Sequence, residues 1–158
     1  MRIPNSFVTR FTQASDLKLA CVFYSLIHKN TKRNLLGYEI TVKQTTLVSL
    51  CGFSVSTVKR AASSLLKSGF IKSQKRQTNA PGKLGTYTYT IEAVSTASKY
   101  FTMDKKLMSR LNGNEFRVYI MCCKLADSSH MSFFQSYNDL SQLLGMSRQD
   151  VLRTIEKL

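Results

Sequence analysis

A 19-residue pattern occurs twice in this chain, at 47–65 and at 140–158, offset by 93 positions without a gap. Seven of the 19 pairs are identical: Leu47/Leu140, Leu50/Leu143, Gly52/Gly145, Ser54/Ser147, Val58/Val151, Arg60/Arg153 and Leu65/Leu158. Each copy reads as a short helix, a Gly turn, a Ser cap and a second helix whose apolar residues share one side. Gly readily adopts the left-handed conformation that ends a helix, and a Ser oxygen satisfies a free N–H in the first turn of the next. Self-similarity on this scale decides the organisation of the chain. The 158 residues are expected to form two small domains, 1–97 and 98–158.

The flanking sequence fills in the elements. Residues 2–13 read as an extended lead-in. Ser15 is placed to cap a helix running from Asp16 to about His28, in which Leu17, Ala20, Cys21 and Tyr24 recur at helical spacing. Tyr38, Ile40 and Val42 alternate with polar residues, which predicts a short strand, and Thr41-x-x-Gln44 matches a capping box. In the first copy Val58, Ala61, Ala62, Leu65 and Leu66 form a stripe, with Ser56, Arg60, Ser63 and Lys67 opposite. Gly69 closes that helix. Strands are predicted over 70–78 and 86–91, joined by the turn-forming segment 79–85; the second alternates with period two.

Beyond a polar linker at 93–99, the pattern predicts a strand or packing segment over 100–103 and a short helix over 105–111. A helix capped by Asn112 and Glu115 follows, then a strand at 132–134. Asn138 or Ser136 caps the next helix, and Ser147-x-x-Asp150 forms a capping box on the last. The expected fold class is α+β, mainly helical.

Charge narrows the partners. The net charge is +14, and residues 1–97 carry 14 Lys/Arg against 3 Asp/Glu, whereas 98–158 carry 9 against 6. No acidic residue lies between Glu39 and Glu92, a stretch holding Lys43, Lys59, Arg60, Lys67, Lys72, Lys75, Arg76 and Lys83. Most surfaces mix signs; a one-sign field is suited to a polyanion.

Other classes find little support. The longest apolar stretch, 19–27, is too short to span a bilayer. No charged-then-apolar leader opens the chain, so export is not expected. Cys21, Cys51, Cys122 and Cys123 form no CxxC pair and fall in apolar helical runs, so they read as core residues in a reducing cytoplasm. His28 and His130 are far apart and read as exposed helix-end residues. Without paired histidines, a phosphate-binding GxxxxGK[ST] loop or clustered carboxylates, neither an enzyme nor a cofactor or metal is expected.

Helix, Gly turn, capped helix is the grammar of a helix-turn-helix, whose second helix enters the major groove. That assigns Ser54, Ser56, Thr57, Lys59, Arg60, Ser63, Ser64 and Lys67 to DNA contact in the first copy, with capping the dominant role for Ser54. The following two strands form a wing carrying Lys72, Lys75, Arg76 and Lys83. The second copy offers Arg148, Gln149, Arg153 and Lys157, in a weaker field because Asp150 and Glu156 share the helix. Tyr87 and Tyr89 lie on one strand face and are expected to pack the sheet onto the helices rather than stack on bases.

The run Leu47-x-x-Leu50-x-Gly52-x-Ser54-x-x-Thr57-Val58-x-Arg60, continued by Leu65-x-x-x-Gly69-x-Ile71, resembles the winged helix-turn-helix of bacterial, phage and plasmid DNA-binding proteins. Two such units in tandem are similar to plasmid and phage replication initiators. The resemblance implies two winged helix-turn-helix units, the second lacking its wing in this chain, as in a wingless unit or a fragment of a longer protein. It implies a site-specific double-stranded DNA-binding protein in the nucleoid, with a second copy of itself and host replication proteins as further partners. A transcriptional regulator of a mobile element carries the same motif. A winged-helix adaptor that binds protein instead of DNA is the alternative from another class.

Overall fold

Leu47 and Cys51 on one helix, and Val58, Ala61, Ala62 and Leu65 on the next, are buried in the computed structural model of the chain. It describes residues 1–28, 31–77, 86–94, 99–126 and 132–158. The second copy of the repeat uses the same register: Leu140, Leu144, Val151 and Thr154 are buried at the positions equivalent to Leu47, Cys51, Val58 and Ala61. The turns also match. Gly52 has φ 65° and Gly145 φ 60°, both left-handed.

Among the described residues the fold is α+β, with eight helices and two small antiparallel sheets. The first half contains β1 (Arg2–Pro4), α1 (Ser6–Arg10), α2 (Ala14–Ser25), β2 (Arg33–Asn34), β3 (Gly37–Val42), α3 (Gln44–Cys51), α4 (Val55–Lys67), β4 (Ile71–Arg76) and β5 (Tyr87–Glu92). Then come β6 (Tyr100–Thr102), α5 (Leu107–Arg110), α6 (Gly113–Leu125), α7 (Tyr137–Leu144) and α8 (Arg148–Ile155). The larger sheet has the order β2-β3-β5-β4, and the smaller pairs β1 with β6.

In the larger sheet the alternation of β5 sorts its two faces. Tyr89 and Ile91 pair with Ile40 and Tyr38 of β3, and Tyr89, Ile91 and Ile40 are buried. The opposite face is a hydroxyl ladder: Thr41 with Thr88 at 2.9 Å, and Ser73 donating to Thr90 at 2.9 Å. A bulge between Ile71 and Ser73 shifts the register of β4. Downstream of it, Gln74 and Arg76 stand opposite Tyr89 and Tyr87, while Lys75 stands opposite Thr88.

Several expectations are corrected. Residues 2–13 are not extended throughout: α1 forms because Phe7, Val8 and Phe11 are spaced to share one side, and all three are buried. Phe7 and Phe11 meet Phe70 edge-on, at 5.5 and 5.2 Å between ring centroids. Ser15 does not cap α2, which starts at Ala14 after Gln13. Thr41 lies in β3, and α3 begins at Gln44 without a side-chain cap, so the Thr41/Gln44 box does not form; sheet pairing fixes Thr41 instead. Residues 132–134 form no strand. On α8, Ser147 accepts from the Asp150 N–H, but the Asp150 carboxylate turns to the Ser147 hydroxyl rather than its backbone, so the box is half made. Ser136, not Asn138, caps α7, and the Asn112/Glu115 box on α6 is complete. The segment 79–85, most of the linker and His130 lie outside the described residues; His28 is exposed beyond the end of α2.

The halves are not separated by a gap. β1 pairs with β6 across the 97/98 boundary, and α2 packs against both α4 and α6 within one hydrophobic core. At that seam lies Lys18 of α2, fully buried. Its Nζ donates to the Leu111 carbonyl. It also sits 4.4 Å from the Phe53 ring centroid and 5.6 Å from that of Phe116. Burial pulls its pKa down from 10.5 to about 8, against small opposing effects of Cys51 and Glu115.

Two predictions follow from the turns and the buried thiols. A Cβ on Gly145 meets nothing within 4 Å, whereas one on Gly52 falls 2.3 Å from the Ser109 carbonyl oxygen. Gly145→Ala should therefore cost only the left-handed strain, about 1 kcal/mol. Gly52→Ala should cost a further ~1–3 kcal/mol for the collision, and denaturant unfolding of the pair measures the difference; equal losses would refute it. The second concerns pH. Burial raises Cys51 from 9.0 to about 12, Cys122 to about 11 and Cys21 further still. Such thiols stay protonated in the fold while the unfolded chain ionises, so their stability is present below pH 9 and is lost as pH rises above it. Lys18 acts oppositely between its folded value of about 8 and 10.5. Three thiols pull against one ammonium, so the net direction is a loss of stability. The denaturant midpoint should fall above pH 9, and a flat profile to pH 11 would contradict the burial of Cys21 and Cys51.

Candidate nucleic-acid interface

Helix α4 has one buried side, a flank turned to α2 and an exposed outer side. Ser54 caps it, its Oγ accepting from the Thr57 N–H at 3.3 Å. The same oxygen is 2.9 Å from the hydroxyls of both Ser56 and Thr57, so three hydroxyls are linked at the positive end of the helix. Ser56, Lys59, Arg60, Ser63 and Lys67 are exposed, and Thr57 is half-buried. Neither of the two ion pairs among the described residues involves these cations. Ser64 departs from its expected role. It points toward α2 and donates to the Asp16 carboxylate at 2.5 Å, so it is withdrawn from the outer face.

The strands divide the basic residues expected on the wing. Arg76 lies over the Tyr87 ring at 5.4 Å, and Tyr87 stacks on Tyr89 at 5.9 Å. Tyr89 is buried against Phe23 of α2, 4.8 Å away, so it packs the sheet onto a helix as expected, while Tyr87 is only half-buried. Between α4 and this sheet face is a cleft of about 260 Å³ lined by Lys59, Ser63, Leu66, Gln74 and Tyr87. Lys59 and Ser63 thus share one side with Tyr87 and, through it, Arg76. Lys75 falls on the opposite, hydroxyl-lined face. Lys72 is 4.0 Å from Glu92, which Arg10 also engages at 2.6 Å, so its charge is partly neutralised. Lys83 lies outside the described residues.

In the second half Arg148, Gln149, Arg153 and Lys157 are all exposed on or just beyond α8. Arg148 lies 5.9 Å from the Tyr137 ring. It borders a cleft of about 420 Å³ lined by Phe133, Tyr137, Leu140 and Ile155. Phe134 and Leu143 are exposed in the same half, as Val55 and Leu66 are on α4.

Sequence reasoning missed Gln44 and Gln74, which line the α4 cleft. Strand parity could have placed Gln74 beside Arg76. The Thr41-x-x-Gln44 spacing reads as a capping box, so nothing local marks Gln44 as a cleft residue. Among the described residues no helix is long and apolar enough to cross a membrane. No protein-family model, curated protein or solved structure matches the chain.

Proposed function

We propose that this chain is a site-specific double-stranded DNA-binding protein made of two helix-turn-helix units, the first winged, and that it acts as a plasmid or phage replication initiator. The observation that carries the reading is the outer side of α4: Arg60, Lys59 and Lys67 stand among hydroxyls without an ion-pair partner among the described residues. A cationic helix of this kind fits the major groove, where a guanidinium can donate two hydrogen bonds to guanine. Two further observations support it. The order α2, β3, α3, α4, β4, β5 with β3-β5-β4 pairing is the winged-helix order. The α3–α4 and α7–α8 pairs share their turn, cap and buried register.

The apolar cleft beside α7 and α8 favours a second role for that half, as a protein contact. On this reading the first unit supplies most of the affinity for DNA. The second adds weaker contacts from Arg148, Gln149, Arg153 and Lys157, and a surface for a second copy or a host replication protein. No step of chemistry is assigned, and the protein works in the cytoplasm at the nucleoid by recognition alone. A regulator of transcription would use the same face, and footprinting on DNA flanking the gene separates them. Tandem sites beside an AT-rich stretch support initiation; overlap with a promoter supports regulation.

Arg60→Ala is expected to weaken specific duplex binding by about 1–3 kcal/mol and to relax preference at one base position. Replacing Lys75 and Arg76 together should weaken binding to all sequences alike and shallow its salt dependence. Fluorescence anisotropy against salt reads both. Unchanged affinity and preference in Arg60→Ala would remove α4 as the reading helix, and a protein adaptor would then fit better.

A further inference from the structure

The backbone on either side of Arg110 meets the first half of the molecule. On one side the Ser109 carbonyl meets the turn between α3 and α4 at Gly52, in the space any larger residue would need for its Cβ. On the other, the Leu111 carbonyl accepts from the buried Lys18 ammonium. Both neighbours of Arg110 therefore touch the first half of the molecule, one by close packing and one by a hydrogen bond, while Arg110 itself is exposed. Lys105 and Lys106 are exposed in the turn just before α5, whose last residue is Arg110. The nearby Asp104 carboxylate accepts from the Lys106 backbone N–H at 2.9 Å, leaving three cations against one acid. Alongside, α3 presents exposed Thr45, Thr46 and Ser49.

We propose that Lys105, Lys106 and Arg110 form a phosphate-binding shelf beside the first helix-turn-helix, and that Lys18 positions it. The proposal rests on the duplex-binding reading above and adds a contact to it. Cations and hydroxyls of this kind engage backbone oxygens without reading sequence. The planar guanidinium of Arg110 matches the geometry of a phosphate. Anchoring on both sides lowers the ordering cost of binding, which is what a fixed contact contributes over a mobile one. The shelf adjoins the turn leading into α4, so its ligand is the backbone of the duplex whose groove α4 enters.

The test is anisotropy of a short random-sequence duplex against salt, with the full chain. Arg110→Ala should shallow the slope of log affinity against log salt by about one. If the curves converge near 1 M salt, that is about a tenfold loss at 0.1 M. Lys106→Ala with Arg110→Ala should shallow it by about two. Lys18→Met should also shallow it, and Arg110→Ala should then add little, a non-additivity that general destabilisation would not produce. If the double surface variant keeps the parent slope while the Lys75/Arg76 variant loses part of it, the shelf is idle and the duplex reading survives. Full additivity of Lys18→Met with Arg110→Ala would remove Lys18 from the positioning role. A parent protein with no salt-dependent affinity for duplex, or one held instead by acidic protein, would overturn shelf and reading together.

Discussion

One ammonium group joins the two halves of this molecule. Lys18 has no exposed surface, and it reaches a backbone carbonyl and two aromatic faces rather than a carboxylate. Each contact belongs to a different element: Phe53 to the turn before α4, Leu111 to the end of α5, Phe116 to α6. Removing a charge from water is unfavourable, and the fall in its pKa records that. Apolar packing could fill the same space, but it would not single out one carbonyl as its partner. The contact therefore sets direction as well as proximity, and α5, α6 and the first turn are registered against a common point on α2.

The exposed cations of α4 owe their freedom to where the acids are placed. Asp16 accepts from Ser64 and Ser15 on the side facing α2. Glu92 draws Arg10 and Lys72 to the far end of the sheet. Glu115, Asp139 and Asp150 serve at helix starts, bonded to Asn112, Ser136 and Ser147. Hydrogen bonds from Ser136 hold the Asp139 carboxyl below its ordinary range. A carboxylate at a helix start is favoured by the positive end of the dipole as well as by the cap. Structural use of the acids thus leaves the outer side of α4 uncompensated.

Local signals were the ones the sequence expressed clearly. Gly52, Gly145, Ser54 and Ser147 act within four residues of themselves, and all four take the conformations their chemistry requires. The alternation in 86–91 is likewise a property of one strand, and Tyr89 packs inward as it implied. What was not legible depends on partners distant in sequence. Phe7 and Phe11 make a helix because Phe70 is there to receive them. Thr41 reads as a cap until β5 supplies Thr88 as its neighbour. Ser64 belongs by spacing near the polar side of α4, and only the approach of Asp16 turns it away. Lys18 gives no local sign at all; it sits in a helical run whose other members look equally suited to the core.

The pairing of β1 with β6 also bears on how the chain is made. Arg2 meets Thr102, and the amino group of Met1 donates to Met103, across a separation of 102 residues. Synthesis runs from N- to C-terminus at roughly 5–20 residues per second, so β1 waits on the order of 5–20 s for β6 to be made. During that interval Ile3 lacks the neighbour that later covers it. Strand β1 is therefore translated well ahead of the partner that completes it, and it settles only after β6 has been made.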